Sequence, residues 1–186
     1  IPLQGLIIGE SGIPKETVGL LGELRGKSWE AILSVKKEIK DFDIKNAKRK
    51  DLKKYLNYVP DNLQPYLYAA VINHDITQKA LVEFMKKEPD FEIIGGLMNE
   101  HHKILKDVLK ITVPRIDNMI EGAIDAGAYG AKIVGSGGGG SIVVLAPKGK
   151  EKQVIEGIKN AGAIDAYQVD VDPGARIIKR LAKVKL

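Results

Sequence analysis

Residues 127–141 of this 186-residue chain have the sequence GAYGAKIVGSGGGGS, and seven of the chain's 20 glycines fall within them. A short run at residues 132–134 precedes the glycine cluster, and a second, SIVVLA at residues 141–146, follows it. Both runs are rich in β-branched residues, which is typical of strands. Two strands joined by so short a loop pair in the antiparallel sense. The stretch therefore predicts an antiparallel pair of strands connected by a glycine loop.

The glycine loop holds more glycine than a turn requires. A tight β-hairpin needs one or two glycines, whereas residues 137–140 are all glycine. Ordering four glycines has a large entropic cost, so the surplus indicates a function. Glycines without side chains let backbone N–H groups approach anionic oxygens or a neighbouring loop closely. A flexible linker has the same composition and is the alternative, but the position between two apolar strands favours an ordered loop.

Two familiar phosphate-binding motifs are excluded. Gly135, Gly137 and Gly140 satisfy the spacing G-x-G-x-x-G, but that fingerprint requires a helix after it, and here a strand follows. Residues 26–28, Gly-Lys-Ser, resemble the end of a P-loop. The P-loop glycine that should precede them by five positions is replaced by Leu21, and the preceding segment has a helical pattern.

The rest of the pattern predicts a helix-rich α+β fold. We expect two layers with a small, mostly antiparallel sheet of about four strands, all in a single domain over residues 1–186. The expected strands outside the loop region are residues 3–9 and 166–171. The expected helices are residues 15–24, 27–39, 66–87, 91–109 and 151–160, one that starts at Val113-Pro114 and ends at Gly127, and a basic helical hairpin at 43–56.

Composition excludes several classes of protein. The chain is 44% apolar and 28% charged, has no cysteine, and contains no apolar run near the ~20 residues of a membrane span. We therefore expect no membrane partner, no metal site and a cytoplasmic location. The net charge of +5 is concentrated at residues 45–54, without aromatic side chains between the basic ones. A solvated helix face explains this charge better than a nucleic-acid site, so we expect no nucleic-acid partner, although a basic nucleic-acid-binding domain is an alternative.

The glycine loop and two upstream stretches resemble the GHMP kinases, which include galactokinases, homoserine kinases and mevalonate kinases. Residues 127–141 resemble the third, C-terminal motif of that superfamily. Residues 96–105, GLMNEHHKIL, resemble the segment one helix earlier, and residues 113–117, VPRID, resemble the lead into the next helix. The resemblance implies the C-terminal domain of these kinases, with a ferredoxin-like α+β fold.

The subfamily signals are mixed. Residues 97–107 and the closing DPGAR at 172–176 look galactokinase-like, whereas the all-glycine loop and residues 9–17, GESGIPKET, look mevalonate-kinase-like. Gly138 stands where galactokinases usually carry phenylalanine, and Arg25 alone is available where they carry paired arginines. The resemblance implies a small-molecule kinase with a sugar as the first substrate, a mevalonate-kinase-like domain as the alternative, and a non-catalytic ligand- or protein-binding module on the same fold as a further one.

The resemblance also implies what this chain lacks. In GHMP kinases the N-terminal half supplies a phosphate-cradling loop of the form P-x-x-x-G-L-x-S-S-A and an aspartate that acts as base or charge stabiliser. Neither precedes the strand at residues 3–9, and the chain begins with Ile1-Pro2 rather than methionine. We therefore expect a fragment whose ATP-binding N-terminal half is absent, which is inactive alone and to which no catalytic residue is assigned. The expected partners are that half, which mainly holds ATP and Mg²⁺, and a small-molecule substrate, and we expect the isolated chain to self-associate.

The resemblance assigns roles to two sets of residues. Ser11 is placed on the substrate side of the cleft. The residues expected to support the phosphate loop and border the nucleotide are Gly135, Ser136, Gly137, Gly138, Gly139, Gly140 and Ser141.

The two adjacent histidines, His101 and His102, lie on a predicted helix, so we expect one to contact the core and the other solvent.

Overall fold

The computed structural model describes residues 3–15, 17–172 and 174–175. Its centre is a four-stranded sheet in which every neighbouring pair is antiparallel, and the strand order is β2-β3-β1-β4. The strands are β1 (Leu6–Glu10), β2 (Gly130–Ile133), β3 (Ser141–Leu145) and β4 (Asp165–Val169). The α+β class and the antiparallel sheet of four strands predicted from the sequence are confirmed.

Six α-helices accompany the sheet in the described residues. They are α1 (Thr17–Glu38), α2 (Leu52–Leu56), α3 (Gln64–Phe84), α4 (Phe91–Lys103), α5 (Pro114–Asp125) and α6 (Glu151–Asn160). A π-helical turn, Ile104–Val108, continues α4. Helices α1 to α5 lie between β1 and β2 in the chain, and α6 connects β3 to β4, which gives the β-α-β-β-α-β connectivity of ferredoxin-like folds. None of the described helices combines the length and the apolar character that crossing a membrane requires.

Two sequence predictions were wrong in the helical region. The two helices predicted at residues 15–24 and 27–39 form one helix, α1, which continues through Gly26, because Ala31 and Val35 further along it are fully buried and an ion pair between Glu23 and Lys27 spans the glycine. The basic hairpin predicted at 43–56 consists instead of two 3₁₀ turns followed by the short helix α2. Parts of the stretches at 1–2, 9–17 and 172–176 that the resemblance used lie outside the described residues.

The buried side chains form two clusters. One lies between one face of the sheet and helices α5 and α6, and includes Ile7, Val144 and Met119. The other lies among α1, α2 and α3 and includes Leu67. The π-helical turn is the junction between them, because its first residue, Ile104, belongs to the helical cluster and the next, Leu105, belongs to the sheet cluster.

Helix α4 lies on strand β2 with no side chain between the two backbones. A Cβ atom on Gly95 of α4 would come within 2.6 Å of the Tyr129 Cβ atom, and a Cβ atom on Gly130 of β2 would overlap the Gly95 carbonyl. Asn99, one turn after Gly95, bridges the same contact: its side-chain oxygen accepts from the Ala131 N–H at 2.9 Å. This close approach carries α4, and with it the π-helical turn, to the sheet.

We predict opposite effects for two adjacent alanine substitutions in α4. Gly95→Ala lowers the free energy of unfolding by about 2 kcal/mol, because the new methyl group meets backbone that has no room to move. Gly96→Ala raises it by about 0.5–1 kcal/mol, because Gly96 is exposed with nothing near its Cβ position and alanine is the better helix former. Urea unfolding followed by circular dichroism measures both. Equal effects at the two positions would contradict the close approach.

Candidate functional site

The glycine loop, residues 135–140, connects β2 to β3. A hydrogen bond from the Val134 N–H to the Ser141 carbonyl, 2.9 Å long, closes its base. All five glycines in the loop have positive φ angles, between 71° and 142°. Side chains rarely adopt these backbone angles, so the loop conformation itself requires glycine.

The segment after β1 holds one side of the glycine loop. Ser11 donates to the Gly140 carbonyl twice, from its N–H at 2.9 Å and from its hydroxyl at 2.6 Å. The Gly140 N–H donates to the Ile13 carbonyl at 2.9 Å, and the Ile13 N–H donates to the Ser11 hydroxyl at 3.1 Å. Ser11 is fully buried by these contacts. Three of these hydrogen bonds join Gly140, at the end of the loop, to the segment after β1, and the fourth, between Ile13 and Ser11, lies within that segment.

The connection between α4 and α5 holds the other side of the loop. The Gly138 N–H donates to the Ile111 carbonyl at 2.8 Å. A Cβ atom on Gly137 would overlap that same carbonyl, and a Cβ atom on Gly139 would lie 2.7 Å from the Ile13 carbonyl. The loop thus lies between two backbone segments at distances that only glycine allows.

Backbone N–H groups of the glycine loop are left without partners. Within the described part of the chain, the N–H groups of Gly135, Ser136, Gly137 and Gly139 donate no hydrogen bond. Gly137 and Gly139 are buried, and orphaned N–H groups are rare at buried positions. The buried Ser136 hydroxyl oxygen also lacks a partner. Successive unpaired N–H groups in a glycine turn form a concavity that binds anions.

Positive charge surrounds the glycine loop. Lys15 is exposed, and its Nζ atom donates to the Val134 carbonyl at the base of the loop, at 2.8 Å. Arg115 of α5 donates to the Ser11 carbonyl at 3.0 Å. A groove of about 600 Å³ runs beside Gly138, and the nine described residues that line it include one basic residue, Lys110, and no acidic one. The unpaired N–H groups of the loop and the basic side chains near it therefore favour an anionic ligand at the loop.

The structure brings together most of the residues predicted for the site. The seven residues from Gly135 to Ser141 form the loop and the start of β3, and Ser11 lies directly behind them. Sequence reasoning did not find the roles of the Ile13 and Ile111 carbonyls or of Lys15. The two carbonyls leave no mark in the sequence, because a backbone acceptor does not depend on its side chain. Lys15 falls within the stretch 9–17 that the resemblance used, but nothing in that stretch indicates its contact with Val134.

The two adjacent histidines lie away from the groove. His102 is buried, with its Nε2 atom 3.3 Å from an oxygen of Asp117. His101 is half-buried in a cavity of about 190 Å³ between α3, α4 and β2, so His102 contacts the core, as expected for one of the two, and His101 stays partly exposed. Burial, with smaller contributions from Lys132 and His102, lowers the pKa of His101 to about 4. Among the described residues, no three acidic or histidine side chains are grouped so as to hold a metal ion.

Comparisons with known proteins place this chain near one kinase family. Residues 77–164 match the family described as GHMP kinases C terminal. A mevalonate kinase from Pyrococcus abyssi is 35% identical over 104 residues, which are 56% of this chain and 30% of that protein. A galactokinase from Mycobacterium bovis is 32% identical over 80 residues, which are 43% of this chain and 22% of that protein.

The similarity extends to a solved structure. The galactokinase of Lactococcus lactis, crystallised with galactose, superimposes with a TM-score of 0.75 at 20% identity, over 89% of this chain and 44% of the galactokinase. At that identity the likeness concerns the fold. The chain spans less than half the length of each of these relatives.

We predict that Gly137→Ala destabilises the protein more than Gly149→Ala, although both glycines have a φ of 87°. Each substitution forces alanine into the left-handed region at a cost of about 1–2 kcal/mol. Nothing lies near the Cβ position of Gly149, whereas that of Gly137 overlaps the Ile111 carbonyl. We expect a further 1–3 kcal/mol, roughly, for Gly137→Ala from this overlap. Urea unfolding of both variants gives the difference, and equal losses would contradict the close contact with Ile111.

Proposed function

Because residues 77–164 match the GHMP kinase C-terminal family, we propose that this chain is the C-terminal part of an ATP-dependent small-molecule kinase. In this proposal the glycine loop borders the phosphates of the nucleotide. The observation that carries it is the set of unpaired N–H groups at Gly135, Ser136, Gly137 and Gly139 beside the Lys15 ammonium. Groups of this kind bind phosphate oxygens well, because amide dipoles and a cation both stabilise negative charge.

In this proposal the chain positions the phosphates of the nucleotide and neutralises part of their charge. Phosphoryl transfer relies mainly on holding the phosphates in place and stabilising their charge. The loop N–H groups would orient phosphate oxygens, and Lys15, with Lys110 at the edge of the groove, would offset their charge. The described residues that line the groove include no carboxylate, so acidic ligands for the Mg²⁺ that accompanies ATP would come from elsewhere in the kinase. The N-terminal half found in longer relatives is the partner we propose for that part.

A sugar is the first candidate substrate, and mevalonate is the second. The fold likeness to a galactokinase supports the sugar, whereas the 35% identity to a mevalonate kinase supports the alternative. Ser11 on the substrate side stays a prediction, and its hydroxyl is committed to Gly140 and Ile13 in this structure. Cytoplasmic location likewise stays a prediction.

The substrate is tested in the full-length gene product that contains this chain. We expect release of ADP from ATP and Mg²⁺ when galactose is present, with mevalonate and homoserine assayed in parallel. Turnover with mevalonate alone would replace the first substrate by the second. No turnover with any of the three, or an upstream sequence without P-x-x-x-G-L-x-S-S-A, would favour a non-catalytic binding module on the same fold.

The phosphate role of the loop is tested in the 186-residue chain itself. When ADP is titrated into ¹⁵N-labelled protein, we expect the amide resonances of Gly135, Ser136, Gly137 and Gly139 to move most, because their N–H groups are free to donate. Lys15→Met should weaken the apparent affinity about tenfold, the scale of one charge-assisted contact.

Lys148→Met is the control for that titration. It removes the same charge from an exposed lysine in the connection between β3 and α6, outside the groove lining, so it should leave the affinity within about twofold. Shifts spread evenly over the surface, or equal losses in the two variants, would show that the loop is not the phosphate site.

A further inference from the structure

The carboxylate of Asp117 joins three elements behind the glycine loop. Asp117 lies in the first turn of α5, and its Oδ2 atom accepts from the Thr112 hydroxyl at 3.2 Å. The Lys106 ammonium, in the π-helical turn, is 3.6 Å from the same oxygen. The His102 Nε2 atom, on α4, lies 3.3 Å from Oδ1. The Asp117 side chain is only 16% exposed, so this carboxylate is held inside the protein.

The hydrogen bond between Thr112 and Asp117 fixes how the chain enters α5. Val113 is the N-cap residue and makes no side-chain cap, and the first helical bond runs from the Asp117 N–H to the Val113 carbonyl at 3.1 Å. Thr112 therefore precedes the N-cap, and Asp117 is the fourth residue of the helix. In many helices an apolar pair at these two positions sets the entry angle of the chain. Here a polar pair occupies the same positions.

The residue before Thr112 carries the contact to the glycine loop. The Ile111 carbonyl accepts from the Gly138 N–H at 2.8 Å. The Ile111 N–H donates to the Leu105 carbonyl at 3.1 Å. Lys110, immediately before it, has a φ of 54°, an angle that lysine rarely adopts. Neighbouring contacts must hold so unusual a conformation in place, and the bond from Thr112 to Asp117 is one peptide unit from the Ile111 carbonyl.

We propose that Asp117 is a positioning residue for the glycine loop. Its hydrogen bond to Thr112 fixes the Ile111 carbonyl, and that carbonyl fixes the Gly138 N–H and the conformation of the loop around it. The importance of this positioning for phosphate binding rests on the proposed function, whereas the positioning itself is a property of this chain.

Thr112 is the sensitive contact in this arrangement. Neither nitrogen of His102 makes a hydrogen bond of good geometry, and the Asp117 Oδ1 atom makes none either. Lys106 lies at the limit of ion-pair distance from Asp117 and is shared with Glu121, from which it is 3.2 Å. The Thr112 hydroxyl is thus the one donor with hydrogen-bond geometry to the carboxylate among the described residues. Removing that hydroxyl should release the Ile111 carbonyl without removing a charge.

The test is amide hydrogen exchange in the ¹⁵N-labelled 186-residue chain. In Thr112→Val, which keeps the side-chain volume, we expect the Gly138 amide to exchange about fivefold faster, the scale of one lost hydrogen bond. The Gly140 amide is an internal control, because it donates to Ile13 on the opposite side of the loop and should be unaffected. Asp117→Ala should give the same pattern, and the double variant should exchange no faster at Gly138 than Asp117→Ala alone.

Two further variants separate positioning from general destabilisation. Thr112→Ser keeps the hydroxyl and should restore slow exchange at Gly138. Glu121→Gln removes the other acidic partner of Lys106 on the same helix and should leave Gly138 unchanged. The proposal is overturned if Gly138 exchange is unchanged in Thr112→Val, if Gly138 and Gly140 accelerate equally, or if Thr112→Ser behaves like Thr112→Val.

An ADP titration distinguishes this proposal from the proposed function. If Thr112→Val frees the Gly138 amide but ADP moves no loop resonance in the parent protein, Asp117 positions a loop that does not bind the nucleotide. If ADP moves the loop resonances in the parent, and Thr112→Val frees the Gly138 amide and weakens that binding while Thr112→Ser does not, both proposals hold.

Discussion

The carbonyl of Gly140 accepts two hydrogen bonds from Ser11, and the rest of the candidate site depends on this contact. It fixes the end of the glycine loop against the segment that follows β1. The two segments can approach this closely only because the loop lacks side chains. A Cβ atom on Gly139 would lie 2.7 Å from the Ile13 carbonyl. The unpaired N–H groups that we propose as the phosphate site lie in the same loop. The packing of the loop and its proposed binding role therefore impose one common requirement on this sequence.

The topology of the sheet explains why these two segments meet. Strand β1 is antiparallel to β3, and Glu10 at the end of β1 is paired with Ser141 at the start of β3. The segment that follows β1 and the loop that precedes β3 therefore lie at the same end of these two strands. Strands β1 and β3 are the two central strands of the sheet, each hydrogen-bonded to a neighbour on both sides. The candidate site lies where these two central strands meet the loop.

The sequence predicted the features that repeat along the chain and missed those that depend on backbone contacts. Helix α6 matches the predicted residues 151–160, and the two strands around the glycine loop were found within two residues, because apolar periodicity and glycine punctuation are local signals. The continuation of α1 through Gly26 was missed because buried residues further along the helix outweigh a local preference. The Ile111 carbonyl and the approach of Gly95 to Gly130 carry no side-chain signal, so neither was predictable.

The two buried clusters connect the glycine loop to a distant part of the fold. Ile104 lies in the helical cluster, and the next residue, Leu105, lies in the sheet cluster. The Leu105 carbonyl accepts from the Ile111 N–H, and the Ile111 carbonyl accepts from the Gly138 N–H. The path from the helical cluster to the loop is therefore a short series of adjacent residues and backbone hydrogen bonds. The π-helical turn bends this path, and such turns are frequent at functional sites because they place side chains and carbonyls where a regular helix would not. Helices α2 and α3, which contribute no described residue to the groove lining, are thus connected through the helical cluster to the loop that borders the groove.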